Sequence, residues 1–406
     1  MPSALPDGEP APADGRLPEE AWRRQRGRDF GVYVHVPFCA TRCGYCDFNT
    51  YTAEELGGGV SRDGYVDVLR EEFALAARVA EGALPPARTV FVGGGTPTLL
   101  SAVQLGQIVQ LVADAFGLDA DAEITTEANP ESVDPRYLKE LHAAGFNRVS
   151  LGMQSTARHV LSVLDRRHTP GRAVDAVDWA RQAGFAHVNL DLIYGAPGET
   201  ADDFAASLRA AVESGVDHVS AYALVVEDGT ALARRVRRGQ LPAPDDDVAA
   251  ERYLAAEETL SAAGLHWYEV SNWARDAAAR CRHNLLYWRG DGWWGFGPGA
   301  HSHVGGVRWW NVKHPARHAE LLRQGLSPAQ GRELLTDRQR HTEDVLLRTR
   351  LSEGLPLTRL GQAGNSSARR ALADGLLDGR EFAKGTVQLT LRGRLLADAV
   401  VRDLLT

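Results

Sequence analysis

The stretch Tyr33-Val-His-Val-Pro-Phe-Cys39-Ala-Thr-Arg-Cys43-Gly-Tyr-Cys46-Asp-Phe-Asn49 decides how this chain is read. A β-rich run over residues 32–38 delivers three cysteines into one short loop at its C-terminal end. The whole chain of 406 residues holds only four Cys, and the fourth, Cys281, lies far downstream. That is too few for a disulfide scaffold and points to a metal centre in a reducing compartment. Three thiolates so close together converge on one centre only if the loop wraps around it. A [4Fe–4S] cube takes four ligands, so three local cysteines leave one iron open to a reactant. Two plainer readings stand beside this one: three buried structural thiols, or a zinc loop completed by His35 or Asp47. Structural zinc usually joins two separated C-x-x-C knuckles, which this sequence lacks.

Outward from the loop, β-rich runs at 32–38, 89–92, 123–128, 148–154, 187–194 and 218–226 alternate with helical periods at 65–80, 102–115, 135–144, 171–183 and 202–212. Repeated β-α units predict an α/β fold with a mostly parallel sheet and right-handed crossovers. Such a sheet curls into a partial barrel or stays open, and its ligands gather at the C-terminal strand ends. Residues 1–28, rich in Pro, Ala, Gly and both charge signs, read as a mobile tail. A helix is expected at 246–263, then an irregular Trp/Gly-rich stretch from His266 to about Trp310, which holds seven of the nine Trp. From about residue 331, the capping-box pattern Thr336-Asp-Arg-Gln339 opens helical segments. A short strand pair around 379–391 and a last helix at 395–405 complete a small α+β, winged-helix-like module. The expected domains are thus 1–28, 29–265, 266–330 and 331–406.

Composition excludes several classes. With 45 Lys+Arg against 53 Asp+Glu the net charge is −8, which argues against a coat for nucleic acid or anionic lipid. No run of 18 apolar residues is long enough to span a bilayer, and the first 28 residues lack the apolar core of a secretory signal, so a cytoplasmic location is expected.

The C-x3-C-x2-C spacing after a first strand, with an aromatic residue before the third Cys, resembles the radical S-adenosylmethionine superfamily. The flanks Tyr33-Val-His-Val-Pro-Phe-Cys39 and Cys46-Asp-Phe-Asn49 narrow this to proteins akin to oxygen-independent coproporphyrinogen III oxidase, and among them to the HemW-type haem chaperone branch. The resemblance runs from about Gly31 to the C-terminus and implies a partial (β/α)6 barrel, a [4Fe–4S] cluster on Cys39, Cys43 and Cys46, and S-adenosylmethionine at the open iron. In that chemistry one electron from the reduced cluster cleaves a carbon–sulfur bond of the cosubstrate, giving a 5′-deoxyadenosyl radical.

The turn Gly93-Gly-Gly-Thr-Pro-Thr98 permits close backbone approach, as any tight strand-to-helix turn does. By resemblance, Gly94, Gly95 and Thr96 receive the amino group of S-adenosylmethionine. Glu127, Gln154 and Asp191 sit at the ends of consecutive strands, where burial without a partner is costly and loop capping is the plain alternative. The resemblance has these three and Arg166 grip the ribose, adenine and methionine parts, with Tyr33 and Tyr45 near the cluster and adenosyl group. Catalytic residues beyond these are not assigned.

Two features separate the branches. The resembled oxidase has a fourth Cys two positions after the third, where this chain has Asp47 and Phe48. The segment His283-Asn-Leu-Leu-Tyr-Trp288 resembles the H-N-x-x-Y-W element of the chaperone branch. A haem site needs an axial ligand and apolar walls. His283 is the first candidate, with Asn284, Tyr287 and Trp288 beside it, Cys281 as an alternative thiolate, and His301 and His303 as weaker ligands. The competing reading has His283 and Asn284 satisfy backbone groups while the tryptophans fill the core.

The expectation is therefore a haem chaperone that binds a [4Fe–4S] cluster, S-adenosylmethionine and haem. Its expected partners are haem, haem-accepting proteins such as respiratory enzymes, an electron donor and, peripherally, membrane complexes, with no nucleic acid. The alternatives are a radical coproporphyrinogen decarboxylase and, third, a DNA-binding regulator using the C-terminal module. That module's basic and acidic residues nearly balance and form no basic stripe.

Overall fold

The computed structural model describes residues 8–56, 61–166 and 169–405. Six parallel strands follow the predicted order: β2 (Phe30–Val36), β3 (Ala87–Gly94), β4 (Leu118–Ala128), β5 (Arg148–Gln154), β6 (His187–Tyr194) and β7 (His218–Ala223). Helices join them, among them Tyr65–Ala80, Ala102–Phe116, Pro135–Ala143, Arg172–Ala183 and Ala201–Glu213. Ser101 and Thr200 close capping boxes on two of these helices, and Asp134 caps a third ahead of Pro135.

Strand alternation assigns the two faces of the sheet. Val32, Val34, Val36, Val90, Val92, Leu151, Leu190 and Val219 are fully buried in the core with the apolar stripes of the helices, including Leu69, Phe73, Leu105, Ile108, Leu138 and Leu208. The alternate residues, including Tyr33, Phe91, Thr125, Glu127, Ser150, Asn189, Asp191 and Ser220, line one cavity of about 1290 Å³. The sheet therefore wraps a lumen lined by polar side chains and aromatic rings together, unlike the doubly apolar strands of ordinary parallel sheets.

The sheet is larger than the sequence suggests. β10 (Gly292–Phe296) adds in parallel to β2, and β11 (His301–Val304), β12 (Val307–Asn311) and β13 (Ala329–Leu334) extend that edge antiparallel. β8 (His266–Glu269) and β9 (Asn272–Ala274) extend the β7 edge, giving thirteen strands among the described residues. The stretch expected to be irregular is thus mostly regular, built of five strands and the helix Arg282–Arg289. Its tryptophans divide by face. Trp294 and Trp309 pack edge to face at 4.9 Å beside Phe116, while Trp293 looks into the lumen.

The expected mobile tail is corrected over residues 8–28, and residues 1–7 lie outside the described residues. β1 (Glu9–Pro10) pairs with β13, and the helix Glu19–Gln25 buries Ala21 and Gln25. Composition hides this docking because the segment has no apolar period: β1 pairs through its backbone, while Leu17, Ala21 and Trp22 pack singly against the core. Gly305 illustrates the fit: at φ 55° it lies so close to the Ala21 carbonyl that no Cβ could be accommodated.

The C-terminal part has its own core of Val345, Leu355, Leu360, Leu377, Val387, Val400 and Leu404. The helix Asp337–Arg348 begins with the predicted Thr336–Gln339 capping box. The strand pair expected at 379–391 is different. Asp378 caps a helical turn, Gly379–Ala383, and the strand Thr386–Val387 pairs back to Leu355–Pro356. The last helix divides into Leu391–Leu395 and Ala397–Leu404. No helix among the described residues is long and apolar enough to cross a membrane.

Candidate functional site

The cysteine loop leaves β2 and folds over the C-terminal mouth of the lumen. Its backbone is tied down at both ends and in the middle: Cys39 N donates to Tyr51 O (3.0 Å), Gly44 N to Leu164 O (3.1 Å) and Cys46 N to Cys43 O (3.2 Å). All three thiols are unpaired, partly exposed and in the cavity lining. Burial pushes the Cys46 thiol up to about 11 and raises Cys39 too, with like charges on the neighbouring cysteines adding to both. Bound iron would offset that cost by holding the thiolates. Cys281 is elsewhere, buried at the lumen floor with its Sγ 3.6 Å from Glu123 Oε1.

The surroundings fit a cluster. The Arg166 guanidinium places Nη1 3.4 Å from Cys43 Sγ and Nη2 2.9 Å from Gly152 O, and its buried Nε has no partner among the described residues. Among those residues, no three Cys, His, Asp or Glu side chains converge as on a single ion. Thiols that each bind a separate iron of a cube need no such convergence. His35 does not complete a zinc loop: Nδ1 shares a hydrogen bond with Tyr33 Oη and Nε2 with Asn49 O, both at 2.9 Å.

The glycine turn sits directly behind the loop. Gly95 N donates to Val36 O and Thr96 N to Phe38 O, so the turn is laced to the strand that carries the cysteines. A Cβ on Gly95 would collide with Phe38 O and reach 3.0 Å from Cys39 Sγ. Gly94, at φ 115°, turns its N–H onto Glu127 Oε2 at 2.9 Å. Burial raises Glu127 to about 7, against the opposing effect of that N–H.

Asp191 accepts from Ser150 Oγ (2.9 Å) and Asn189 Nδ2 (2.7 Å), and burial pushes its pKa up despite these donors. Gln154 has φ 64°, and the β5–β6 register slips between Gly152 and Gln154. This bulge re-aims Gln154 into the lumen, over a glycine whose Cβ would meet Gln154 Nε2. Tyr45 lies near Arg166, Cys43 and Cys46, and Tyr33 stacks on Phe91 at 6.3 Å. The structure thus brings Tyr33, Tyr45, Gly94, Gly95, Thr96, Glu127, Gln154, Arg166 and Asp191 around one space with the three thiols.

The opposite end of the lumen is closed by the helix Arg282–Arg289. Glu123 receives its first amides, Arg282 N and His283 N, both at 3.0 Å, an acid placed where the helix dipole favours it. Arg148 lies 3.8 Å from Glu123, both buried, and donates to Ala279 O at 2.7 Å. Arg148→Ala leaves that carboxylate buried without its cation, so urea unfolding should show a loss of about 3–5 kcal/mol.

Here the expected haem segment is revised. His283 is 1% exposed and both its ring nitrogens are engaged, Nδ1 with Thr89 Oγ1 at 2.7 Å and Nε2 with Tyr287 Oη at 2.8 Å. Glu269, which accepts from Asn272 Nδ2, lies near Asn284 and Trp288, and burial raises it to about 8. Trp288 packs outside the cavity against Tyr268, Leu285 and Leu351, while Asn284 and Tyr287 line the cavity. Burial lowers His283 to about 3 and both His301 and His303 to about 4, so all three imidazoles are neutral near pH 7.

Sequence reasoning passed over Thr125, Ser150, Asn189, His218, Ser220 and Tyr222, which also line the lumen. Their signal is period-two polarity inside parallel strands, as in Asn189–Asp191 and His218–Ser220–Tyr222.

Residues 33–211 match the family model described as the radical SAM superfamily, which carries with it a [4Fe–4S] cluster and S-adenosylmethionine. The chain is 59% identical over 379 residues to the heme chaperone HemW of Mycobacterium tuberculosis, covering 93% of this chain and 95% of that protein. It is 33% identical over 378 residues to the heme chaperone HemW of Bacillus subtilis, covering 91% and 97%. The solved structure of coproporphyrinogen III oxidase (HemN) from Escherichia coli superposes with a TM-score of 0.80 at 24% identity, over 97% of this chain and 94% of that one, a likeness of fold. With relatives matched nearly end to end, the chain belongs to the HemW family, within the radical SAM superfamily.

Proposed function

We propose that this protein binds haem inside its lumen and hands it to acceptor proteins such as respiratory enzymes, while a [4Fe–4S] cluster on Cys39, Cys43 and Cys46 and S-adenosylmethionine beside it occupy the mouth of the same space. One observation carries the reading: the cysteine loop, the cosubstrate residues and the aromatic wall of Tyr287 and Trp293 line a single cavity of about 1290 Å³. An ordinary small-molecule pocket is about 300–1,000 Å³, so there is room for more than the cosubstrate. When bound, the cluster and cosubstrate supply one-electron chemistry. The chain's own residues bind and orient: Gly94, Gly95 and Thr96 present backbone groups, Asp191 and Gln154 present polar atoms, and Arg166 holds positive charge beside Cys43. An electron donor, peripheral contact with membrane complexes and a cytoplasmic location belong to the same proposal.

Glu127 gives the cosubstrate site a pH dependence. A carboxyl with a pKa of about 7 is half neutral there, and a cationic ligand favours its charged form. Affinity for S-adenosylmethionine, measured anaerobically by calorimetry, should therefore rise between pH 6 and pH 8, and Glu127→Gln should flatten that rise. Haem transfer is tested by mixing haem-loaded protein with an apo-respiratory enzyme and following the acceptor's activity. Activation is expected. Conversion of coproporphyrinogen III by the reconstituted protein, with no activation of the acceptor, would contradict the proposal.

A further inference from the structure

Among the described residues, five histidines line the lumen: His35, His218, His283, His301 and His303. Four have both ring nitrogens occupied. His35 bonds Tyr33 and Asn49, His218 bonds Asn189 and Tyr268, and His283 bonds Thr89 and Tyr287. His303 completes the four, with Nδ1 bonded to Asp291 O at 3.0 Å and Nε2 accepting from Gly306 N at 3.2 Å. His301 differs. Among the described residues neither of its ring nitrogens makes a hydrogen bond or ion pair, although the ring is only partly exposed and is fixed by packing.

That packing gives the ring a defined seat. His301 and Trp310 are cross-strand partners on β11 and β12, and their rings stack at 6.0 Å with planes 29° apart. Trp310 is held in turn by Gly331, whose missing Cβ leaves room for the indole. On the other side, Trp293 Nε1 donates to His301 O at 3.1 Å. Trp293 also meets Tyr287 edge to face at 4.6 Å and His303 at 5.0 Å. An aromatic wall thus runs beside the one imidazole of the lumen that has open nitrogens among the described residues.

An axial ligand to haem iron needs an unengaged lone pair, a fixed ring and an apolar surface for the macrocycle. We propose that His301, rather than His283, is the histidine that coordinates the iron of a porphyrin bound in the lumen, with Tyr287 and Trp293 as the adjoining wall. His283 is then a positioning residue that pins Tyr287 and the floor helix. This assignment rests on the haem reading above and deepens it.

The test is a hemin titration of the full chain, followed by Soret absorption. Wild type should bind one equivalent with an imidazole-ligated spectrum. His301→Ala should bind at least about tenfold more weakly, since even outer partners of a metal site cost that much. Free imidazole added to His301→Ala should restore the wild-type band, which a merely structural loss would not allow. His301→Met should keep haem but move the band and raise the haem potential, as a His-to-Met ligand change does. A His301→Ala protein with wild-type band and affinity overturns the assignment while leaving haem binding intact. Failure of the wild type to bind hemin overturns the haem reading itself.

Discussion

Cys39→Ala, Cys43→Ala and Cys46→Ala are each expected to lose the iron–sulfur absorbance of the anaerobically reconstituted protein, whereas Cys281→Ala keeps it. With three ligands for a four-iron cube, none is redundant. Cys281 cannot substitute. It is buried at the floor beside Glu123 and Arg148, where burial raises its thiol pKa well above the ordinary range and so disfavours the thiolate. Full absorbance in any one of the three loop variants would remove that cysteine from the ligand set.

The second large effect is expected at Gly95. An alanine methyl there meets the Phe38 carbonyl, a backbone atom that cannot swing aside, and presses to 3.0 Å from Cys39 Sγ. The turn must move away from the strand that carries the cysteines, breaking the Gly95 N–Val36 O and Thr96 N–Phe38 O bonds. Gly95→Ala should therefore weaken S-adenosylmethionine binding by at least about tenfold, a loss of roughly 1.4 kcal/mol. Gly361→Ala is the control, because nothing lies within 4 Å of the added methyl and the backbone is extended. Equal binding by Gly95→Ala and wild type, measured by anaerobic calorimetry, would show that the turn does not contact the cosubstrate.

Much of this candidate site is legible in the sequence. The cysteine spacing, the glycine turn and the strand-end polar residues are local signals, and β2 to β7 repeat one unit. What stayed hidden depends on contacts between distant residues. The floor role of His283 requires Thr89 on β3 and Glu123 on β4, which no reading of His283–Trp288 alone supplies. Residues 8–28 carry no apolar period, yet they dock because β13 offers an edge and Gly305 offers space. The tryptophan-rich stretch was ambiguous because core and ligand walls demand the same residues. Only the alternation along β10 to β12 separates Trp294 and Trp309 from Trp293. The polar face of the parallel strands was visible in the sequence as a period of two, but it acquires meaning only once the sheet encloses a lumen.

The proposed cluster and haem sites share one cavity and use different residues, and an anaerobic absorption spectrum of the reconstituted protein, taken before and after one equivalent of hemin, tests this most directly. The expected result is a stoichiometric Soret band superimposed on undiminished iron–sulfur absorbance. Bleaching of the cluster on haem addition, or a Soret band no different from that of free hemin, would contradict it.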